Sequence, residues 1–558
     1  KSLYFIIIQG FFFKIVQDSV CTPFCIAFYK KQCYNRPIRM KQEGMSMASI
    51  GILIAIIVYL VMMVYVGFYF SKGEGKEDST DHFYLGGRQL GPFVTAMSAE
   101  ASDMSSWLLM GLPGVAYLTG ISDAGWTAIG LAVGTYLNWL IVAKRIRRYS
   151  IACDAITIPD FFSKRYHDKK NILMCIAAIT ILIFFIPYTA SGFKAVGTLF
   201  NSLFGVNYHM AMLFGAAIII IYTVMGGFMA VSTTDLIQSV VMSIALVIIV
   251  FFGISKAGGW DAVMDNAKSL AGYLSMTQAH NMADNTSSPY SLLTIFSTVA
   301  WGLGYFGMPH ILLRFMAIGE EKKLVLSRRI ATVWVVISMF VAILIGIIGY
   351  GASVAGVLPM FETSSESETI IIRLAGLLAE KNFLLALVAG VVLAGILACT
   401  MSTADSQLLT AASSVSQNLL QDFLKIKMSP KQSMLAARLT VVGISLVAVV
   451  LAWNPDSSVL YIVSFAWAGF GAAFGPVVLF SLFWRRTNFQ GALAGMMTGG
   501  VMVFVWKYLV KPMGGVWGIY ELLPAFILGC IAIVVVSLAT AAPSEEILKE
   551  FDSVKEEK

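Results

Sequence analysis

Long apolar runs alternate with short polar breaks along most of this chain. After Met47, thirteen runs are long enough for a helix to cross a bilayer, which takes ~20 residues. They lie at about 48–70, 92–118, 123–143, 171–203, 208–226, 229–255, 291–317, 327–352, 383–417, 433–453, 458–484, 488–509 and 519–541. None shows the roughly ten-residue alternation of a β-barrel strand. A helix satisfies its own backbone groups inside lipid, so the pattern predicts an all-α integral membrane protein with about thirteen transmembrane helices.

Composition agrees: 58% of the residues are hydrophobic and 13% charged, against about 25% charged in soluble domains. The seven cysteines include no CxxC pair and read as thiols, not as a disulfide framework or metal site. No nucleotide-binding loop or soluble catalytic domain is visible, so the chain reads as a non-enzyme. Any pumping it does must draw on an ion gradient.

Formal net charge is +7. Residues 1–46 carry seven basic residues against two acids, and the rest is nearly balanced, which leaves no basis for a nucleic-acid partner. This extension lacks a starting Met. Gln42-Glu43-Gly44 fits a purine-rich bacterial ribosome-binding sequence ahead of Met45 and Met47. The expectation is upstream sequence read in frame, with Met47 as the true start.

Charge placement sets the orientation. With the N-terminus outside and the C-terminus in the cytoplasm, the inner loops and their span ends hold twenty-two Lys and Arg, and the outer ones six. A bacterial cytoplasmic membrane is the expected location. Two outer loops are long: 256–290, and 358–382, where Ile370–Glu380 reads as a short surface helix.

The informative residues are those that lipid should exclude. The second span contains Ser98-Ala99-Glu100-Ala101-Ser102-Asp103-Met104-Ser105-Ser106, then Gly111, Pro113 and Gly114. The seventh contains Trp301-Gly302-Leu303-Gly304-Tyr305-Phe306-Gly307-Met308-Pro309. Broken helices are tolerated in a membrane where they line a site or are buried in protein. With the first span set aside, the two breaks fall in core helices one and six, matching places of a five-plus-five inverted repeat. The cluster Cys399-Thr400-Met401-Ser402-Thr403 falls in core helix eight. Hydroxyl and carbonyl oxygens suit a small hard cation.

At these residues the chain resembles the sodium:solute symporter family, and within it the proline-transporting members. The resemblance runs from about Met47 to the last span. It rests on Leu85-Gly86-Gly87-Arg88, Ala101-Ser102-Asp103-Met104-Ser105, Leu108 through Gly114, Asp154 through Phe162, Trp301 through His310, and Met401-Ser402-Thr403. It implies a leucine-transporter-type core with one extra N-terminal and two extra C-terminal helices. It also implies Na⁺ held by backbone carbonyls of Ala101, Met104 and Cys399 and by the hydroxyls of Ser402 and Thr403. Asp103 and Asp235 match acids used in ion coupling; Tyr188, Trp301, Tyr305 and Pro309 match the lining of a proline pocket. Glu100 and Ser106 depart from the family pattern, which favours glycine at both places.

Each of these residues also has a plainer reading. Asp103 can serve as a local hydrogen-bonding group, Ser402 and Thr403 can bond their own helix, and Trp301 and Tyr305 stand four apart and can simply pack. Arg314 is read as a topology signal, and Glu100, Lys194 and Asp405 as interhelical partners.

The expected organisation is an extension (1–46), a first span and cytoplasmic loop (47–91), a first repeat (92–255), an outer loop (256–290), a second repeat (291–484), two further spans (485–541) and a tail (542–558). The implied activity is Na⁺-driven uptake of L-proline by alternating access. The lipid bilayer is the surroundings, and no obligatory protein partner is implied. Na⁺-coupled transport of pantothenate, another amino acid or a sugar is the alternative, with a sensor or channel further behind.

Overall fold

The computed structural model describes residues 46–74, 84–225 and 227–555. The expectation for residues 1–46 therefore falls almost wholly outside the described residues. Helix α1 is Met47–Glu74, followed by α2 (Pro92–Asp103), α3 (Leu112–Thr119), α4 (Ile121–Leu137), α5 (Ala143–Ala152) and α6 (Ile158–Arg165). Next come α7 (Ile172–Phe204), α8 (Tyr208–Met225), α9 (Phe228–Lys256) and α10 (Trp260–Lys268). A small antiparallel hairpin, β1 (Gln278–Asn281) and β2 (Thr286–Pro289), pairs Gln278 with Pro289. The chain continues with α11 (Leu292–Val299), α12 (Pro309–Ala317), α13 (Leu324–Val354), α14 (Ser364–Ser367) and α15 (Ile370–Ala379). It ends with α16 (Phe383–Ser413), α17 (Pro430–Leu451), α18 (Val459–Phe483), α19 (Phe489–Val505), α20 (Leu522–Ala539) and α21 (Glu545–Lys555).

Among the described residues, ten helices are long and apolar enough to cross a membrane, or eleven if Leu292–Gly307 and Pro309–Ala317, bent by 48° from one another, count as one span. The other two expected spans hold shorter apolar helices, Trp107–Thr119 and Tyr208–Ile221. Local sequence explains the ends. Pro92 and Pro309 start their helices where no backbone donor is needed. Thr157 caps α6, accepting the N–H of Asp160 at 3.2 Å. Helix α4 runs through a wide turn at Asn138–Val142 into α5, beyond the expected end of the third span.

Glycines let the spans of the core meet at their backbones. A Cβ on Gly302 would lie 2.1 Å from the carbonyl oxygen of Gly130, and one on Gly134 would lie 2.3 Å from that of Gly302. Core helices two and six thus touch backbone to backbone along this line. The two long connections have structure of their own. The loop 256–290 carries α10 and the hairpin, and α15 is no surface helix. Its Ile370, Ile371, Leu374, Ala375 and Leu378 are buried, packed on α16 and α9.

Candidate functional site

Helix α2 stops in mid-span. Met104 leaves helical geometry at φ −73°, ψ 69°, and a wide turn at Trp107–Gly111 leads into α3. Carbonyls at such an end lack intrahelical donors. The carbonyl of Asp103 instead accepts the indole N–H of Trp107 at 3.1 Å and the hydroxyl of Tyr188 at 3.2 Å. The carbonyl of Ala101 accepts the hydroxyl of Ser402, on α16, at 2.7 Å.

That contact brings together most of the expected ion ligands. The Ser402 hydroxyl also lies 3.2 Å from the carbonyl of Cys399, and the thiol of Cys399 turns along its own helix to Ile396. Thr403 is buried, and its hydroxyl has no hydrogen-bond partner. Met104 stands at the break. Oxygens of Ala101, Cys399 and Ser402 thus meet where α2 breaks against α16. The donor set fits Na⁺, for which carbonyl and hydroxyl oxygens replace water.

The expected substrate residues divide into two levels. Trp301 lines a cavity of about 450 Å³ with Gly111, Gly114, Glu368, Ser464 and Tyr520, within the size range of small-molecule sites. Its ring stacks on Tyr520 at 5.1 Å, and its carbonyl accepts the indole N–H of Trp467 at 2.7 Å. Tyr188 and Tyr305 are buried and do not line that cavity. Tyr305 donates its hydroxyl to Oδ2 of Asp103 at 2.5 Å, as Tyr188 does to the Asp103 carbonyl. Pro309 opens α12, just past Met308, where the second broken span turns.

Asp235 lies apart from this centre, on α9. Its Oδ2 accepts the hydroxyl of Ser98 at 2.6 Å and Nη2 of Arg314 at 3.2 Å. Arg314 also donates to Ser98, to Ser406 at 2.6 Å and to the carbonyl of His310. Its side chain is 1% exposed, so the topology reading of this residue is corrected. The guanidinium ties α2, α9, α12 and α16 at the end where α2 begins.

A second buried ion pair lies near the other end of the broken span. Lys194 on α7 meets Glu368 at 3.0 Å, with both side chains almost fully buried. Glu368 also accepts from the Ser458 hydroxyl at 2.7 Å and from the N–H groups of Val459 and Leu460, capping α18. A Cβ on Gly114 would lie 3.2 Å from the backbone nitrogen of Glu368. No role for Glu368 was legible in the sequence; its signal was an acid beside the apolar run Ile370–Ile372. Asp405 accepts the hydroxyl of Thr223 at 2.6 Å, and Glu100 the indole N–H of Trp139 at 2.9 Å.

The sequence model described as the Sodium:solute symporter family matches residues 83–499. The chain is 40% identical over 511 residues to a protein of Staphylococcus saprophyticus named Sodium/proline symporter 2, an alignment covering 90% of this chain and 96% of that one. It is 40% identical over 505 residues to the Osmoregulated proline transporter OpuE of Bacillus subtilis, covering 90% and 98%. Among solved structures, a Na⁺-coupled sialic acid symporter in a substrate-bound outward-open state superposes with a TM-score of 0.71 at 18% identity, covering 89% of this chain and 99% of that one. Mhp1, a nucleobase-cation-symport-1 family transporter, gives 0.51 at 14% identity, covering 84% and 98%. These likenesses place the fold among the leucine-transporter-type carriers. With its family match spanning most of the length and its relatives aligned nearly end to end, the chain belongs to the sodium:solute symporter family.

Proposed function

We propose that this protein carries L-proline across the cytoplasmic membrane together with Na⁺, by alternating access. The observation that carries the reading is the junction of two interrupted elements. The broken end of α2 presents the Ala101 carbonyl to Ser402 on α16, beside the unpartnered hydroxyl of Thr403. Relatives that share two fifths of the sequence are named for sodium and proline.

In this reading Na⁺ takes the place of the Ser402 proton at the Ala101 carbonyl. It draws Thr403, the Cys399 carbonyl and the Met104 carbonyl around itself and fixes α2 against α16. Asp103 adds negative charge nearby. Its carboxylate and carbonyl also hold Tyr305 and Tyr188, so ordering the ion gap orders the aromatic groups beside the substrate. Ion and substrate then favour each other reciprocally. The proline carboxylate meets the free N–H groups at the start of a half-helix, whose dipole favours an anion. The ring enters against Trp301 and moves on to Tyr305 and Tyr188 in the level beneath the cavity, with Pro309 shaping the turn.

Asp235 and Arg314 close the inner end, and Na⁺ leaves past Asp235. In this reading the N-terminus is outside and the C-terminus in the cytoplasm, as the Lys and Arg of the loops favour. The repeats are 92–255 and 291–484, with 485–541 added to the core. One charge moving through ~100 mV releases about 2.3 kcal/mol, and a tenfold Na⁺ gradient adds roughly 1.4 kcal/mol. For one Na⁺ per proline that supports roughly a few hundred-fold accumulation.

A carrier of another solute would keep the ion gap and differ at the pocket. Competition decides between them. Unlabelled proline in excess over labelled proline abolishes Na⁺-dependent uptake if the reading holds, and pantothenate, sugars and other amino acids leave it intact. Labelled proline that fails to enter while one of the others does so in Na⁺ medium would assign the pocket to that solute.

A further inference from the structure

Helix α1 precedes both repeats and takes no part in the site described above. Its buried stripe is Ile52, Ile56, Tyr59 and Met63, at helical spacing and each at most 5% exposed. The helix it lies against is α16, which carries Cys399, Ser402 and Thr403. A Cβ on Gly51 would lie 2.6 Å from the Cβ of Ala386, and one on Gly390 would lie 2.8 Å from the carbonyl oxygen of Ile52. Glycine inside a helix costs stability; at these two places it lets α1 and α16 approach closely.

Of the four residues in the stripe, only Tyr59 ends in a hydroxyl. That hydroxyl donates to the sulfur of Met401, on α16, at 3.9 Å, and it accepts an amide N–H of Gln238, on α9, at 3.2 Å. Met401 lies between Cys399 and Ser402 in the chain. Gln238 is fully buried one turn beyond Asp235, and its Oε1 has no hydrogen-bond partner. Cys399, Asp405 and Asp235 are the ionisable groups around the hydroxyl. A single polar atom from outside the repeats thus joins α9 to α16 beside the ion-binding stretch.

Holding a cation with oxygens from two helices requires each oxygen to stay within about 0.5 Å of its place. The hydroxyls of Ser402 and Thr403 keep their aim only while α16 keeps its rotation about its own axis. Successive residues on a helix point about 100° apart. A hold on Met401 is therefore a hold on the direction of Ser402.

We propose that Tyr59 is a positioning residue of the Na⁺ site: through Met401 and Gln238 it fixes the rotation of α16 that presents Ser402 and Thr403 to the ion. Helix α1 is then a brace for the ion-binding helix. The proposal rests on the Na⁺-coupled reading given above. Loss of the hydroxyl lowers the share of α16 arrangements competent for the ion, and the apparent affinity falls by the same factor. Tyr59 touches neither ion nor substrate, so the number of bound ions does not change.

Equilibrium binding of ²²Na⁺ to the purified full-length protein, without substrate and at fixed pH, tests this apart from transport. Tyr59→Phe keeps the ring and raises the Na⁺ concentration for half-saturation about three- to fivefold, the scale of one neutral hydrogen bond, at unchanged saturation. Gln238→Met produces a similar shift with Tyr59 intact, and it carries the test should Tyr59→Phe not yield a monodisperse protein. The double variant shifts no further than either single one, because both remove the same contact. Tyr65→Phe, on the same helix but 66% exposed, leaves the affinity as it was. Unchanged affinity in Tyr59→Phe and Gln238→Met overturns the proposal, as does an equal shift in Tyr65→Phe or a lowered saturation with the affinity kept. In each of those outcomes the native protein still binds Na⁺ and the coupled reading stands. A native protein that binds no Na⁺ removes that reading and the brace with it.

Discussion

Ser402 and Thr403 are neighbours with different prospects. The Ser402 hydroxyl is engaged with the Ala101 carbonyl, and the Thr403 hydroxyl is buried without a partner. Removing the latter therefore takes nothing from the fold. Thr403→Val leaves the melting temperature in Na⁺-free buffer unchanged or higher, since an unsatisfied buried hydroxyl carries a penalty of about 1–3 kcal/mol. The same variant raises the Na⁺ concentration for half-maximal uptake by about tenfold, or ~1.4 kcal/mol. A clear loss of stability without Na⁺ would contradict the assignment of Thr403 as an ion ligand. Arg314 is the opposite case, because every contact it makes is structural as well. Arg314→Met strands Asp235 in a dry interior and lowers stability by about 3–5 kcal/mol. Adding Asp235→Leu restores most of that stability without restoring uptake. A double variant as unstable as the single one would show that the pair does not act as a unit.

At the scale of elements, the apolar pattern made most helices legible, because a spanning helix must announce itself in consecutive residues. The two interruptions were legible for the same reason: glycine, proline and acids have no business in lipid. What stayed hidden depends on partners far away in the chain. Arg314 sits near the end of an apolar run, where a single arginine looks like an interface marker. Only the folded chain brings Ser98, Asp235 and Ser406 to it. Ile370–Glu380 looked like a surface helix because the run is short and lies between polar segments. It is buried because α9 and α16 cover it. The glycines of α4 were unremarkable as letters, yet Gly130 and Gly134 face Gly302 at backbone distance. Gly302→Ala accordingly separates core helices two and six. It lowers the melting temperature and abolishes uptake, an overpacking effect of about 1–3 kcal/mol or more. Gly443→Ala on α17 is the control, since a Cβ there meets nothing within 4 Å. It is neutral or stabilising by up to about 1 kcal/mol. Equal damage from both substitutions, read by thermal unfolding in detergent, would refute the close approach.

For the whole molecule, a buried ion pair fastens each end of the core. Asp235 and Arg314 hold the end where α2 begins, and Lys194 and Glu368 hold the other. Helix α21 adds a clasp that the sequence showed only as a short tail of mixed charge. Phe551 lies under the Arg165 guanidinium at 5.2 Å, Glu550 meets His167 at 3.0 Å, and Asp552 meets Arg485 at 2.9 Å. A helix of eleven residues gives too few periods for its apolar face to stand out. Alternating access follows if Na⁺ binding at the break of α2 biases which end opens, and this coupling is the central claim. Labelled-proline accumulation in proteoliposomes of the purified protein measures it most directly. With an inward Na⁺ gradient, proline accumulates above equilibrium, and the accumulation collapses when choline replaces Na⁺ at constant pH. Equal accumulation in choline would contradict the account.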